Sequence, residues 1–88
     1  MLESILTKLK SENQIGLINI NDQDRLIIKK VMRSLSFFRV NSFDSQIIQR
    51  DLIGMAQELQ IRNSSLSENI GDDLKGFTSS IVEGSNGP

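Results

Sequence analysis

The stretch from Ser42 to Asn63, SFDSQIIQRDLIGMAQELQIRN, decides the fold. Its apolar residues Ile48, Leu52, Met55, Ala56 and Leu59 recur at spacings of i, i+4, i+7, i+8 and i+11, which places them on one stripe of an α-helix. Asp44 and Ser45 each offer a side-chain oxygen to the free N–H groups at the start. Arg62 complements the carbonyl end of the helix dipole, and Asn63 tolerates the left-handed conformation that closes many helices. The pattern predicts a helix over Ser45–Gln60, with Leu52 in the core and Gln49 on the opposite, exposed face. A helix of that length is marginal alone in water, so its apolar stripe requires neighbours.

Working outward, the segment before it supplies a second stripe. After NDQD, where Asn21 or Asp22 can cap and the acids sit near the positive end of the dipole, Ile27, Ile28, Val31, Met32, Leu35 and Phe38 share one broad face. The predicted helix is Asp22–Phe38, central to the bundle. Val40, Asn41, Ser42 and Phe43 form a short link, which folds the two helices back on each other as a hairpin. Phe37, Phe38 and Phe43 cluster at that corner and read as a plug for the end of the core, in preference to a stacking platform.

The two ends of the chain add shorter elements. Leu2, Ile5, Leu6 and Leu9 give an amphipathic helix over Leu2–Ser11, read as a packing arm; Glu3 and Glu12 offset Lys8 and Lys10 and no aromatic anchor is present, which disfavours a membrane-surface helix. Gln14–Ile20, QIGLINI, reads as an irregular or helical connector, since Gly16 disfavours a long continuous helix; Leu17, Ile18 and Ile20 are expected on the core. Asn63–Asn69 is polar and turn-forming, anchored by Leu66. Leu74, Phe77 and Ile81 mark a last helix over Asp72–Val82, with Asp72 and Asp73 at its start and Gly84 at its end. The expected core is Ile28, Val31, Leu35, Phe38, Ile48, Leu52, Met55, Leu59, Leu74, Phe77 and Ile81. The fold class that follows is all-α, a small four-helix up-and-down bundle, with residues 1–83 as a single domain and 84–88 as a flexible tail.

Composition narrows the function classes. In 88 residues, 38% are hydrophobic and 24% charged with a formal charge of -1, a globular balance without the strong basic excess of a polyanion-coating chain. Cys and His are both absent, which removes disulfides, thiolate nucleophiles, imidazole bases and the usual zinc ligands. No apolar run reaches the length of a membrane span or signal-peptide core, so a cytoplasmic location is expected.

From about residue 22 to residue 83 the order of features resembles the small bacterial all-helical family called domain of unknown function ten-forty-eight. The similarity rests on NDQDRLIIKKVMRSLSFF, on RDLIGMAQELQ and on IGDDLKGFTSSIVE, where Gly71, Asp72, Asp73 and Phe77 stand at that family's Gly-acid-Asp turn and later Phe. The chain departs from it in having no Tyr or Trp and in placing its only Pro at Pro88. What the resemblance implies is a compact helical bundle of unknown biochemical function, with no catalytic residues to carry over.

Few constellations point to chemistry. Asp72 and Asp73 are helix neighbours whose side chains diverge by about 100°, so they suit a helix start better than acid-base work. They also lack the alternating oxygen ligands of a calcium loop. Asp44-Ser45 has the outline of a carrier-protein turn, but Gln46 stands where Leu is needed, and an N-cap explains the pair. The glycines are scattered and none follows a strand, so no phosphate loop exists.

One feature carries a partner with it. Arg25, Lys29 and Arg33 line one face at i, i+4 and i+8, with Lys30 beside them and Arg39 beyond, and no acid interrupts the run from Arg25 to Arg39. Paired with acids on neighbouring helices, it would be an ordinary solvated face. As a binding surface it suits an acidic protein, or DNA phosphates if Gln46, Gln49, Arg50 and Gln57 present themselves to base edges; the near-zero net charge weighs against DNA. The expectation is a non-enzymatic module for protein-protein interaction, with no cofactor, metal, small-molecule ligand or membrane partner. Self-association as a homodimer, through the N-terminal arm or the surplus apolar surface of the second helix, is part of it.

Overall fold

The computed structural model describes residues 2–70 and 73–85, and these form an all-α bundle. Among the described residues five α-helices follow one another: α1 Leu2–Asn19, α2 Asp22–Leu35, α3 Ser42–Ile61, α4 Leu66–Ile70 and α5 Leu74–Ser85, with a 3₁₀ turn at Ser36–Phe38. The 3₁₀ turn takes over the last part of the predicted second helix, and α4 is an extra short helix formed from the expected NSSLSEN turn. Gly84 falls inside α5 and does not terminate it. Gly71, Asp72 and the last residues of the expected tail, 86–88, lie outside the described residues.

Helices α2 and α3 start the same way, at two copies of an N-x-x-D sequence, NDQD and NSFD. Asn21 Oδ1 accepts the Asp24 N–H at 2.8 Å, and Asn41 Oδ1 accepts the Asp44 N–H at 2.8 Å. In return the two Asn amides donate to the Asp24 and Asp44 carboxylates, at 3.3 and 2.9 Å. Each is a reciprocal box that satisfies the otherwise free N–H of the first turn. The cap of α3 is thus Asn41, three residues earlier than the Asp44-Ser45 start suggested by the stripe. At the other end Asn63 adopts φ 58° and the Ser64 N–H reaches the Leu59 carbonyl at 2.8 Å, the left-handed closure expected there.

The core gathers Ile28, Val31 and Leu35 of α2, Ile48, Leu52, Ile53 and Ala56 of α3, then Leu66 and Val82. Leu59, Leu74, Phe77 and Ile81 pack at its edge. Met55 and Phe38, both expected inside, are 41% and 39% exposed. Gln49, expected outside, is only 9% exposed. The buried arc of α3 is therefore turned from its predicted centre toward Gln49 and Ile53, and the cause is α1. That helix lies along α3, which touches every other α-helix of the fold and is its centre in place of α2.

The docking of α1 also explains why it does not stop at Ser11. Asn13 is buried at 2% exposure, and its amide donates to the Gln46 carbonyl and to Gln46 Oε1, both at 2.9 Å. Gly16 then meets Ile53, where an added Cβ would stand 2.9 Å from Ile53 Cγ2. A glycine loses about 1 kcal/mol against alanine within a helix. Here it lets two helices approach at a point where a methyl group does not fit. Leu17 and Ile20 reach the core as expected, whereas Ile18 is 72% exposed on the outer side of α1.

In α5 the most buried positions are Thr78 and Val82, neighbours of the predicted stripe. Thr78 sits there at little polar cost because its hydroxyl donates to the Leu74 carbonyl one turn back, at 2.9 Å. Asp73 opens the helix, its carboxylate accepting the Gly76 N–H at 3.1 Å. Among the described residues no helix is long and apolar enough to cross a membrane.

Candidate functional site

The basic run on α2 divides into two parts with different surroundings. Arg25 faces the end of α1: its Nε donates to the Leu17 carbonyl at 2.7 Å, and one terminal nitrogen donates to the Ile20 and Ile18 carbonyls at 2.9 and 3.2 Å. The other terminal nitrogen meets Asp22 Oδ1 at 2.6 Å. The last carbonyls of a helix have no partners within it and carry the negative end of its dipole. A planar guanidinium with several donors fits such a cluster, so Arg25 is occupied in closing α1.

Lys29, Lys30, Arg33 and Arg39 are exposed, and they make no ion pair with any described residue. The pairing with acids of neighbouring helices that would make this an ordinary solvated face is absent among the described residues. Arg39 follows the 3₁₀ turn with φ 56°. A left-handed conformation costs a non-glycine residue about 1 kcal/mol, and it turns the chain sharply away from Phe38.

Beside these bases lies a feature expected to plug the end of the core. Phe37 is 84% exposed, and with Phe38, Ser34, Leu74, Lys75 and Thr78 it lines a groove of about 680 Å³ between the end of α2 and the start of α5. The lining is mostly apolar carbon, with Ser34, Lys75 and Thr78 as its polar residues. Lys30 precedes Ser34 by one turn, and the Ser34 hydroxyl donates to its carbonyl at 3.1 Å. Arg33 stands four residues before Phe37, and Arg39 directly follows Phe38. The acid nearest in sequence, Asp73, turns its carboxylate to the Gly76 N–H. An exposed aromatic pair flanked by cations that make no ion pair with any described residue is a surface with the chemistry to dock an apolar, acidic segment. The last regular turn of α2 ends at Leu35, so the periodicity that placed Phe38 inside does not extend that far.

The side chains suggested as base readers are differently placed. Gln46 accepts the Asn13 amide and Gln49 is buried against α1, which leaves Arg50 and Gln57 exposed on the outer face of α3. Asp24, expected as a plain helix-start acid, is fully buried and its Oδ1 accepts the Leu66 N–H at 3.1 Å, tying α2 to the start of α4. Among the described residues no three acidic side chains gather as they would around a metal ion. In comparisons with family models, curated proteins and solved structures, no match to this chain was found.

Proposed function

We propose that the chain is a non-enzymatic interaction module, acting in the cytoplasm, whose groove between α2 and α5 takes an acidic, amphipathic segment of another protein. The observation that carries this reading is the exposed Phe37 beside Lys30, Arg33, Lys75 and Arg39, with no described acid paired to Lys29, Lys30, Arg33 or Arg39. Apolar side chains of the segment would fill the groove, and its carboxylates would meet the rim, where charges chiefly set orientation and association rate. The backbone of Arg39 supports a role for its side chain, since glycine would hold the same left-handed turn without strain.

A synthetic helix with leucine at i, i+3, i+4 and i+7 and glutamate elsewhere tests the proposal by nuclear magnetic resonance. Shifts should concentrate on Phe37, Phe38, Leu74 and Thr78. Phe37→Ala and Arg33→Glu should each weaken binding about tenfold, the range of a moderate hot spot. Arg39→Gly separates binding from folding: it should leave the thermal midpoint unchanged or raised while weakening the peptide. Binding with no shift in the groove, or none at millimolar peptide, would reject the reading. A DNA duplex in the same assay addresses the alternative, because binding through phosphates would fall steeply with salt.

A further inference from the structure

The outward face of α3 poses a separate problem. Gly54 lies near the middle of that helix, exposed, with no described residue within 4 Å of where a Cβ would stand. Unlike Gly16, it serves no close approach to any described residue, although glycine in a helix interior is about 1 kcal/mol worse than alanine. Seven residues to either side, and so on the same edge of the helix, stand Ile47 and Ile61. Ile61 is 83% exposed. Four residues to either side stand Arg50 and Glu58, both exposed.

This pattern is symmetric in shape about Gly54 and opposite in charge. We infer that the face is a two-fold self-association surface, on which the α3 helix of a second copy of this chain crosses antiparallel at Gly54. With the two glycines at the crossing, each Arg50 meets the partner's Glu58, and each Ile47 meets the partner's Ile61. A two-fold contact requires such self-complementarity, since whatever residue i does to residue j is done in return.

A receiving site for the protruding isoleucine exists on the same face. Ile47 and Phe43 of α3 and Ile5 and Leu9 of α1 supply the apolar lining of a groove of about 370 Å³, which Lys8, Glu12 and Arg50 complete. The partner's Ile61, brought opposite Ile47, falls into this groove, and Glu58 one turn away reaches Arg50. The existing partners of these charges are weak rivals: Arg50 is 4.0 Å from its neighbour Asp51, and Glu58 to Arg62 is an exposed pair at 3.1 Å. The crossing covers one helix and the edge of another on each copy, so the dimer is of the small, exchanging kind, distinct from the obligate class. The surface is separate from the groove between α2 and α5, which it leaves open.

Sedimentation of the full chain over a concentration series tests this. The expected result is a monomer at low micromolar and a dimer toward millimolar protein. Ile61→Glu and Arg50→Glu should each shift the midpoint at least about tenfold upward in concentration. Combining Arg50→Glu with Glu58→Arg should restore association, because the two residues are eight apart on one helix and meet only between copies. A thermal melt of each variant at low concentration shows that the monomer fold is kept. Phe37→Ala should leave association unchanged while weakening the acidic peptide, so this inference and the proposed docking function can fail independently. A monomeric mass throughout, or a dimer insensitive to Ile61→Glu and to both charge changes, would overturn it.

Discussion

At the scale of single residues, the side chains that specify this fold are polar, and they act over distances that local pattern does not reveal. Arg25 reads in the sequence as the first of a row of surface cations, yet three backbone carbonyls of the α1 terminus fall within its reach. Its role there depends on the shape of the guanidinium as well as its charge. Arg25→Lys keeps the charge but replaces several fixed donors with one compact ammonium, and should destabilise the chain by about 2 kcal/mol. Asp22→Ala, which removes the exposed ion pair only, should change stability by less than about 0.5 kcal/mol. Urea denaturation of the two variants decides between closure of the helix and pairing with Asp22; equal losses would exclude the first. Asp24 was hidden for the same reason, because its partner, the Leu66 N–H, lies 42 residues away. The caps at Asn21 and Asn63 were legible, since their partners are within a few residues.

At the scale of elements, periodicity identified α2, α3 and α5 but set the buried arcs of α3 and α5 slightly off centre. A stripe of apolar residues marks where a helix can pack, and the neighbours determine which flank of the stripe is covered. For α3 the decisive neighbour is α1, and its docking depends on Asn13, a polar residue, and Gly16, which an amphipathic pattern counts as neutral or as a break. Ile53 and Gln49 are buried because of those two contacts, while Met55 on the other flank is left partly in water. The same logic hid the groove between α2 and α5: periodicity placed Phe38 inside and Phe37 read as part of a plug for the end of the core, but regular α2 ends at Leu35 and both are exposed. A pair of glycine substitutions measures the distinction directly. Gly54→Ala should raise monomer stability by about 1 kcal/mol through helix propensity alone. Gly16→Ala gains the same propensity but drives a methyl into Ile53, an overpacking loss of about 1 to 3 kcal/mol, so its net effect should be neutral to destabilising. If Gly16→Ala stabilised the chain as much as Gly54→Ala, the close contact of α1 with α3 would be wrong.

At the scale of the whole molecule, the question left open by the sequence was whether the N-terminal segment is an arm that can be exchanged or a part of the core. The helix α1 buries Leu9 and Ile20, seats Asn13 on Gln46, and has its own end closed by Arg25 of α2. A chain of this size has little apolar area to spare: domains near this length bury a smaller fraction of their surface than larger ones and are correspondingly marginal. Removing α1 would strip cover from Ile53 and Gln49, leave the Arg25 guanidinium without its carbonyls, and expose a flank of the central helix to water. The fragment 21–88 should therefore lose cooperative unfolding, with a fall in helical circular dichroism larger than the share of residues removed. A detachable arm predicts the opposite, a fragment that melts within a few degrees of the full chain and loses only the signal of α1 itself. Thermal melts of the two chains at equal, low concentration distinguish the outcomes, and the cooperative fragment would return α1 to the role of an exchangeable arm.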